Sequence, residues 1–160
     1  AQAFEKSLPG QRVKAFSCCA MFYDLADPNS FVADIKKLLV EDGVWCIQLS
    51  YLPLMLENMN FYDICHEHLS YYSIKSLNNL LQRNGLYIFD ASKNDVNGGS
   101  VRVFIAHIEN EEVSNRSNRS NVSKLLLEET TMGLESPETY REYYYQMTVY
   151  NLGHLKFSYM

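Results

Sequence analysis

No two of the seven glycines (Gly10, Gly43, Gly85, Gly98, Gly99, Gly133 and Gly153) are separated by a single residue. The chain therefore holds no G-x-G nucleotide loop, and if a nucleotide cofactor binds, its main loop lies elsewhere. No apolar run approaches the roughly 20 residues that a membrane span requires. The N-terminus lacks the basic-then-apolar order of a signal peptide. Positive charge is scarce: 14 Lys and Arg stand against 19 Asp and Glu, a net charge of −5. That is the wrong sign for a surface that must neutralise duplex phosphates, so nucleic acid is not expected as the main partner. The four cysteines, Cys18, Cys19, Cys46 and Cys65, contain no C-x-x-C. Three lie in apolar runs, which reads as reduced core thiols and a cytoplasmic chain, rather than a disulfide framework or a zinc cage.

What is present is ample apolar material, 47% of 160 residues, enough for one ordinary core. The opening stretch has no initiator methionine and enters a strand-like run almost at once, so the expectation is a piece of a larger protein. Residues 12–20 are small and apolar, as in a strand buried on both faces of a parallel sheet. Asp27 before Pro28 supplies a helix cap and a proline at the first helical position. Phe31, Ile35, Leu38 and Leu39 then recur at helical spacing, which predicts a helix over 28–40, stopped near Gly43. Residues 44–49 are β-rich, so strand, helix and strand form a βαβ unit of a doubly wound α/β sheet. Residues 50–72, aromatic and interrupted by Pro53, read as loop plus a broken helix. Ser73 caps a helix with Leu77, Leu80 and Leu81 on one face, closed by Gly85. Strands over 87–91 and 101–107, joined by a turn-rich link, suggest an antiparallel pair at the sheet edge. Residues 109–123 are polar, with sequon-like repeats at Asn115, Asn118 and Asn121 that no secretory signal supports. Two helices are expected beyond, over 122–132 and 137–149. The second is crowded with tyrosines, Tyr140, Tyr143, Tyr144 and Tyr145, a composition suited to packing on another surface or chain.

The densest chemistry lies in "FYDICHEHLSYYS", residues 61–73, which gathers Asp63, Cys65, His66, Glu67 and His68 beside Tyr71 and Tyr72. A histidine can serve as general base, and a neighbouring carboxylate can fix its tautomer or hold its charge. A metal reading needs His66 and His68 on one ion with Asp63 or His107 as a third ligand. The spacing is not HExxH, however, because position 70 is serine. Cys65 is a weak nucleophile candidate, since adjacent residues such as Cys65 and His66 cannot easily face each other. A second cluster, "NDVNGGSVR" over 94–102, pairs Gly98 and Gly99 with Ser100 and the fork of Arg102. It could grip phosphate or be a plain hairpin turn with a surface arginine.

Together the stretches "AMFYDLADPNSFVADIKKLLVEDGVWCIQLSYLP", "FYDICHEHLSYYSIKSLNNLLQRNGLYIFD" and "NGGSVRV" make residues 16–107 resemble the C-terminal part of a bacterial family. These are the S-adenosylmethionine-dependent C-methyltransferases acting on nucleotide-linked keto-deoxysugars. The resemblance implies an α/β fold comprising the second half of a Rossmann-like methyltransferase sheet with C-terminal helices. It divides the chain into cofactor-side residues 1–50, a catalytic and substrate-binding segment 51–108, a linker 109–123 and helices 124–160. It also implies that His68 is the base, with Glu67 as its helper. Tyr71, Tyr72, Asn97, Gly98, Gly99, Ser100 and Arg102 would contact the nucleotide-sugar, and Ala20, Met21 and Phe22 would line the S-adenosylmethionine pocket. Where the family often has tyrosine this sequence has Cys65, and the family's cysteine-rich region and glycine-rich loop have no counterpart here. The expectation is a fragment that methylates poorly by itself and, having an exposed strand edge, forms a homodimer. A rival reading is a non-catalytic module binding a sugar nucleotide or a protein. A metal-dependent hydrolase ranks last.

Overall fold

The structure is a computed structural model that describes residues 6–7, 9–110, 112–113 and 119–157, with side chains as far as residue 149. Strand β1 (Val13–Cys19) leads through a short turn to α1 (Pro28–Leu38), β2 (Leu39–Ser50), α2 (Leu52–Glu57) and α3 (Ile74–Arg83). Strands β3 (Leu86–Asn94) and β4 (Ser100–His107) follow, then α4 (Ser120–Met132) and α5 (Pro137–Phe157). The four strands form one mixed sheet in the order β1-β2-β4-β3, with β1 parallel to β2 and β4 antiparallel to both of its neighbours. β2 and β3 thus run the same way, with the returning β4 inserted between them.

Local chemistry accounts for most of the elements. Asp27 Oδ1 accepts from the Ser30 amide at 3.0 Å and Pro28 opens α1, as capping rules require. Ser73 caps α3 through the Ser76 amide, and Ser76 returns the bond to the Ser73 amide. Pro53 falls in the first turn of α2, where its missing N–H costs nothing.

Two expectations about the sheet change. Gly43 does not end α1: β2 begins directly at Leu39, and Gly43 lies inside it. Between Leu39 and Val44 the pairing with β1 slips, and a Cβ on Gly43 would come within 2.8 Å of the Leu39 side chain. The glycine therefore marks a bulge rather than a helix cap. β1, read as buried on both faces, is an edge strand of mixed exposure, because its apolar residues are covered only from the helical side.

The core forms on one face of the sheet. Trp45, Ile47 and Leu49 of β2 and Val101, Val103 and Ile105 of β4 meet Val32 and Ile35 of α1, Leu77 and Leu81 of α3, and Val122 and Leu125 of α4. Trp45 is fully enclosed, edge-on to Phe16 and Phe22. The alternate residues Cys46, Gln48, Arg102 and Phe104 remain half-buried or exposed on the other face, as a strand's period of two dictates. α4 starts at Ser120, within the stretch expected to be linker. Asn121, in its first turn, donates to Asp90 at 2.9 Å, whereas Asn115 and Asn118 lie outside the described residues.

Candidate active site

Three segments converge beyond the carboxyl ends of β1 and β2, the position where open α/β sheets bind ligands. The turn after β1 is tied to the histidine segment, because the Tyr23 carbonyl accepts from the Leu69 and Ser70 amides at 2.9 and 3.1 Å. The glycine loop is tied to the same region, because the Gly98 carbonyl accepts from the side-chain amides of Asn58 and Asn60, each at 2.8 Å. Gly98 (φ +78) and Gly99 (φ +137) have reasons of their own to be glycine. A Cβ on the first would stand 2.3 Å from the Tyr62 hydroxyl, and on the second 2.7 Å from Leu54 Cβ.

His68 lies at the centre. Its ring is 4.3 Å from that of Tyr23, centroid to centroid, and 6.5 Å from that of Tyr71. His68 Nδ1 is 2.8 Å from the Asp63 carbonyl oxygen. A carbonyl only accepts, so Nδ1 carries the proton and Nε2 of the neutral ring keeps its lone pair. The Tyr71 hydroxyl donates to the same carbonyl at 3.2 Å, and the Cys65 amide does so at 3.1 Å.

The Asp63 side chain is buried, and its Oδ2 has no hydrogen-bond partner. Burial pushes its carboxyl above the ordinary range, opposed by attraction to His68. Burial likewise raises the hydroxyls of Tyr23, Tyr71 and Tyr143, and the charge of Asp63 adds to each. Tyr23, Tyr71 and Asp63 therefore surround one imidazole in a partly desolvated setting, with Tyr143 placed beside Asp63 and Tyr71.

The other expected residues fall into separate groups. Glu67 is exposed, with Oε1 3.9 Å from His66 Nε2 rather than on His68. Tyr72 and Phe22 stack on each other in the core, 5.2 Å apart and 7% and 0% exposed. Consecutive residues of an extended segment point to opposite sides, so Tyr71 faces the site while Tyr72 packs inward. Met21 packs against the core. Ala20 is exposed at the end of β1 with φ +51, a left-handed conformation uncommon outside glycine and frequent at ligand sites. Ser100 is buried and donates to the Val96 carbonyl at 2.7 Å. Arg102 directs Nε and Nη2 to Gln48 Oε1, at 3.2 and 2.8 Å, across the paired strands. Asn97 is exposed with φ +53. His107 is buried far along β4, 3.3 Å from the Leu39 carbonyl, so the three histidines do not gather. Among the described residues no group of three or more His, Cys, Asp or Glu is arranged to hold a metal.

Two contributions were not legible as such. Asp63 stood out in the sequence only as one acid among several. Tyr143 was one tyrosine in a run with no sign of which would approach Asp63 and Tyr71. On the far side of Tyr71 a cleft of about 420 Å³ opens between α3 and the α4–α5 turn, lined also by Ser73, Lys75, Glu129 and Tyr140. Glu129 is buried and accepts from the Tyr51 hydroxyl at 2.7 Å and from the Ile74 and Lys75 amides. Its carboxylate thereby anchors α4 to the positive end of α3.

Much of this sheet and its helices recurs in solved structures. One match is with the complex of the Haloferax volcanii Trm112 methyltransferase activator and a methyltransferase, with a TM-score of 0.52 and 13% identity over 62% of this chain and 57% of the other. Another is the structure of LepI in complex with SAM, with a TM-score of 0.51 and 13% identity over 62% of this chain and 27% of that one. These place the fold in the Rossmann-like methyltransferase class. In sequence, residues 95–157 match the C-methyltransferase C-terminal domain family. C-methyltransferase NovU of Streptomyces niveus is 34% identical over 122 residues, covering 76% of this chain. The chain corresponds to the C-terminal portion of that C-methyltransferase family, and its match spans 28% of the relative's length.

Proposed function

We propose that this chain is the proton-abstracting and substrate-holding part of a cytoplasmic C-methyltransferase, with a nucleotide-linked keto-deoxysugar as substrate and His68 as general base. The observation that carries the reading is the bond from His68 Nδ1 to the Asp63 carbonyl. In the neutral ring it puts the proton on Nδ1 and the lone pair on Nε2, the atom a base must use, near the carboxyl ends of β1 and β2. A ketone acidifies the neighbouring C–H. His68 Nε2 takes that proton, and the electron pair is left on the substrate as an enolate. S-adenosylmethionine, when bound, supplies the methyl group that the carbon receives. Ala20 and Met21 fit one wall of its site, while the absence of a G-x-G pair among the seven glycines leaves its main loop to residues outside this sequence.

Tyr71 borders both His68 and the 420 Å³ cleft, which supports substrate lying across its ring. Asn97, exposed in the glycine loop, and Arg102, exposed on β4 beside Gln48, suit the nucleotide end. Glu67 keeps a supporting role only through solvent. The edge strand β1 supports pairing into a homodimer; a monomer at high concentration in sedimentation would count against that part. The test of function is His68→Ala in the enzyme with its cofactor half restored. Methyl transfer should fall by at least about a hundredfold while nucleotide-sugar binding stays within a few-fold. Retained turnover would remove His68 as base, and a function that survives without turnover would favour the binding-module reading.

A further inference from the structure

We infer that Asp63 is the positioning residue of His68, its carboxylate serving as the counter-charge to the protonated ring in the place expected for Glu67. This rests on the reading of His68 as base and adds which acid supports it. Asp63 acts on the ring through two groups. Its carbonyl takes the Nδ1 proton and so sets the tautomer. Its carboxylate is buried, 6% exposed, attracts His68 and has a free Oδ2. A buried carboxylate oxygen without a partner is costly to keep and marks a place where the charge is used.

The groups facing that carboxylate come from every side: Tyr23 from the turn after β1, His68 and Tyr71 from its own segment, and Tyr143 from α5. Of these only His68 can become a cation, so only His68 can answer the charge. Tyr143 has its hydroxyl buried and unpartnered. It puts the tyrosine-rich helix into the wall of the site, where exclusion of water strengthens the attraction. Glu67, 73% exposed at its side chain, is left in solvent, where a charge is screened. In the step itself the substrate C–H breaks and the Nε2–H bond forms. Asp63 exchanges no proton and holds the resulting imidazolium.

The experiment is side-chain NMR titration of the 160-residue chain as wild type, Asp63→Asn, Glu67→Gln, His68→Gln and Tyr143→Ala. In Asp63→Asn the His68 ring should titrate at lower pH, by on the order of half a unit to one unit. In Glu67→Gln it should not move, and in Tyr143→Ala it should shift part of the way towards Asp63→Asn. Reciprocally, in His68→Gln the Asp63 carboxyl should titrate at higher pH, because an attraction that lowers it is gone. An unmoved His68 in Asp63→Asn, or a shift in Glu67→Gln instead, overturns the inference. The ring-current shift that Tyr23 imposes on His68 checks that Asp63→Asn keeps its local fold. Should it be lost, the Asp63 carboxyl in His68→Gln decides, and an unmoved carboxyl there overturns the inference as well. Coupled titrations with turnover surviving His68→Ala would instead sink the base reading and leave the coupling standing.

Discussion

Removing the carboxylate of Glu129 should release the helix that frames the site. Glu129 is 3% exposed and accepts three hydrogen bonds, from the Tyr51 hydroxyl and the first two amides of α3. A hydrogen bond to a charged group is worth about 1.5–3 kcal/mol, and the three are not additive because they share one group. Glu129→Ala leaves a phenol and two amides buried with no acceptor, a loss of about 3–5 kcal/mol. Glu129→Gln keeps one acceptor oxygen and turns an amide NH₂ toward donors, so about half of that loss is expected. Against a total stability of about 5–15 kcal/mol, the alanine variant is marginal. Urea unfolding followed by the emission of Trp45, the one tryptophan, should show a lower midpoint with an unchanged slope. A cycle with Tyr51→Phe should give a coupling of about 1 kcal/mol or more. A loss below about 1 kcal/mol for Glu129→Ala, or a glutamine variant equal to wild type, would refute the account of Glu129 as the anchor of α3. The site should feel the change too, since Tyr71 and Ser73 immediately precede that helix.

Further outcomes follow from the same geometry. Asp63 has its carboxyl held above the ordinary value of 3.8, so the folded chain binds its proton more tightly than the unfolded chain. Its stabilising contribution is therefore full at acid pH and is lost as pH rises from that value through the raised one. Asp63→Asn should flatten the decline in a pH series of urea midpoints, and a decline unchanged in the variant would assign it elsewhere. Gly98→Ala places a Cβ in a left-handed position against Tyr62 and Asn60. It should cost about 2–4 kcal/mol from backbone strain and displaced hydrogen bonds, measured by the same unfolding assay. Burial pushes the Cys18 thiol up to about 11, while Cys19 is exposed, so iodoacetamide at pH 8 should label Cys19 well before Cys18. Mass spectrometry of short labelling times would show whether that order holds.

Local signals in the chain were sufficient for the elements. Asp27 with Pro28, Ser73, and the spacing of Leu77, Leu80 and Leu81 each predict a helix through bonds made within a few residues, and α1 and α3 form there. The cluster at residues 61–73 was visible as chemistry, and the chain's resemblance to the C-methyltransferases is matched by the family and the relative found. What depends on contacts between distant segments was not visible. Gly43 looks the same as a helix stop or a bulge until β1 is paired beside it. Tyr71 and Tyr72 differ only in which side of an extended segment meets the core. Asp63 rather than Glu67 approaches His68 because the turn at Phe61–Asp63 points its carbonyl at the ring, and no residue count conveys that direction. Tyr143 reaches the same place only after α4 is anchored through Glu129 and α5 turns back over Tyr71. The sequence by itself determined which segments are helix or strand and which chemistry is available, because those rest on neighbours along the chain. The tertiary structure decided which acid, which tyrosine and which face, because those rest on groups brought together by the sheet.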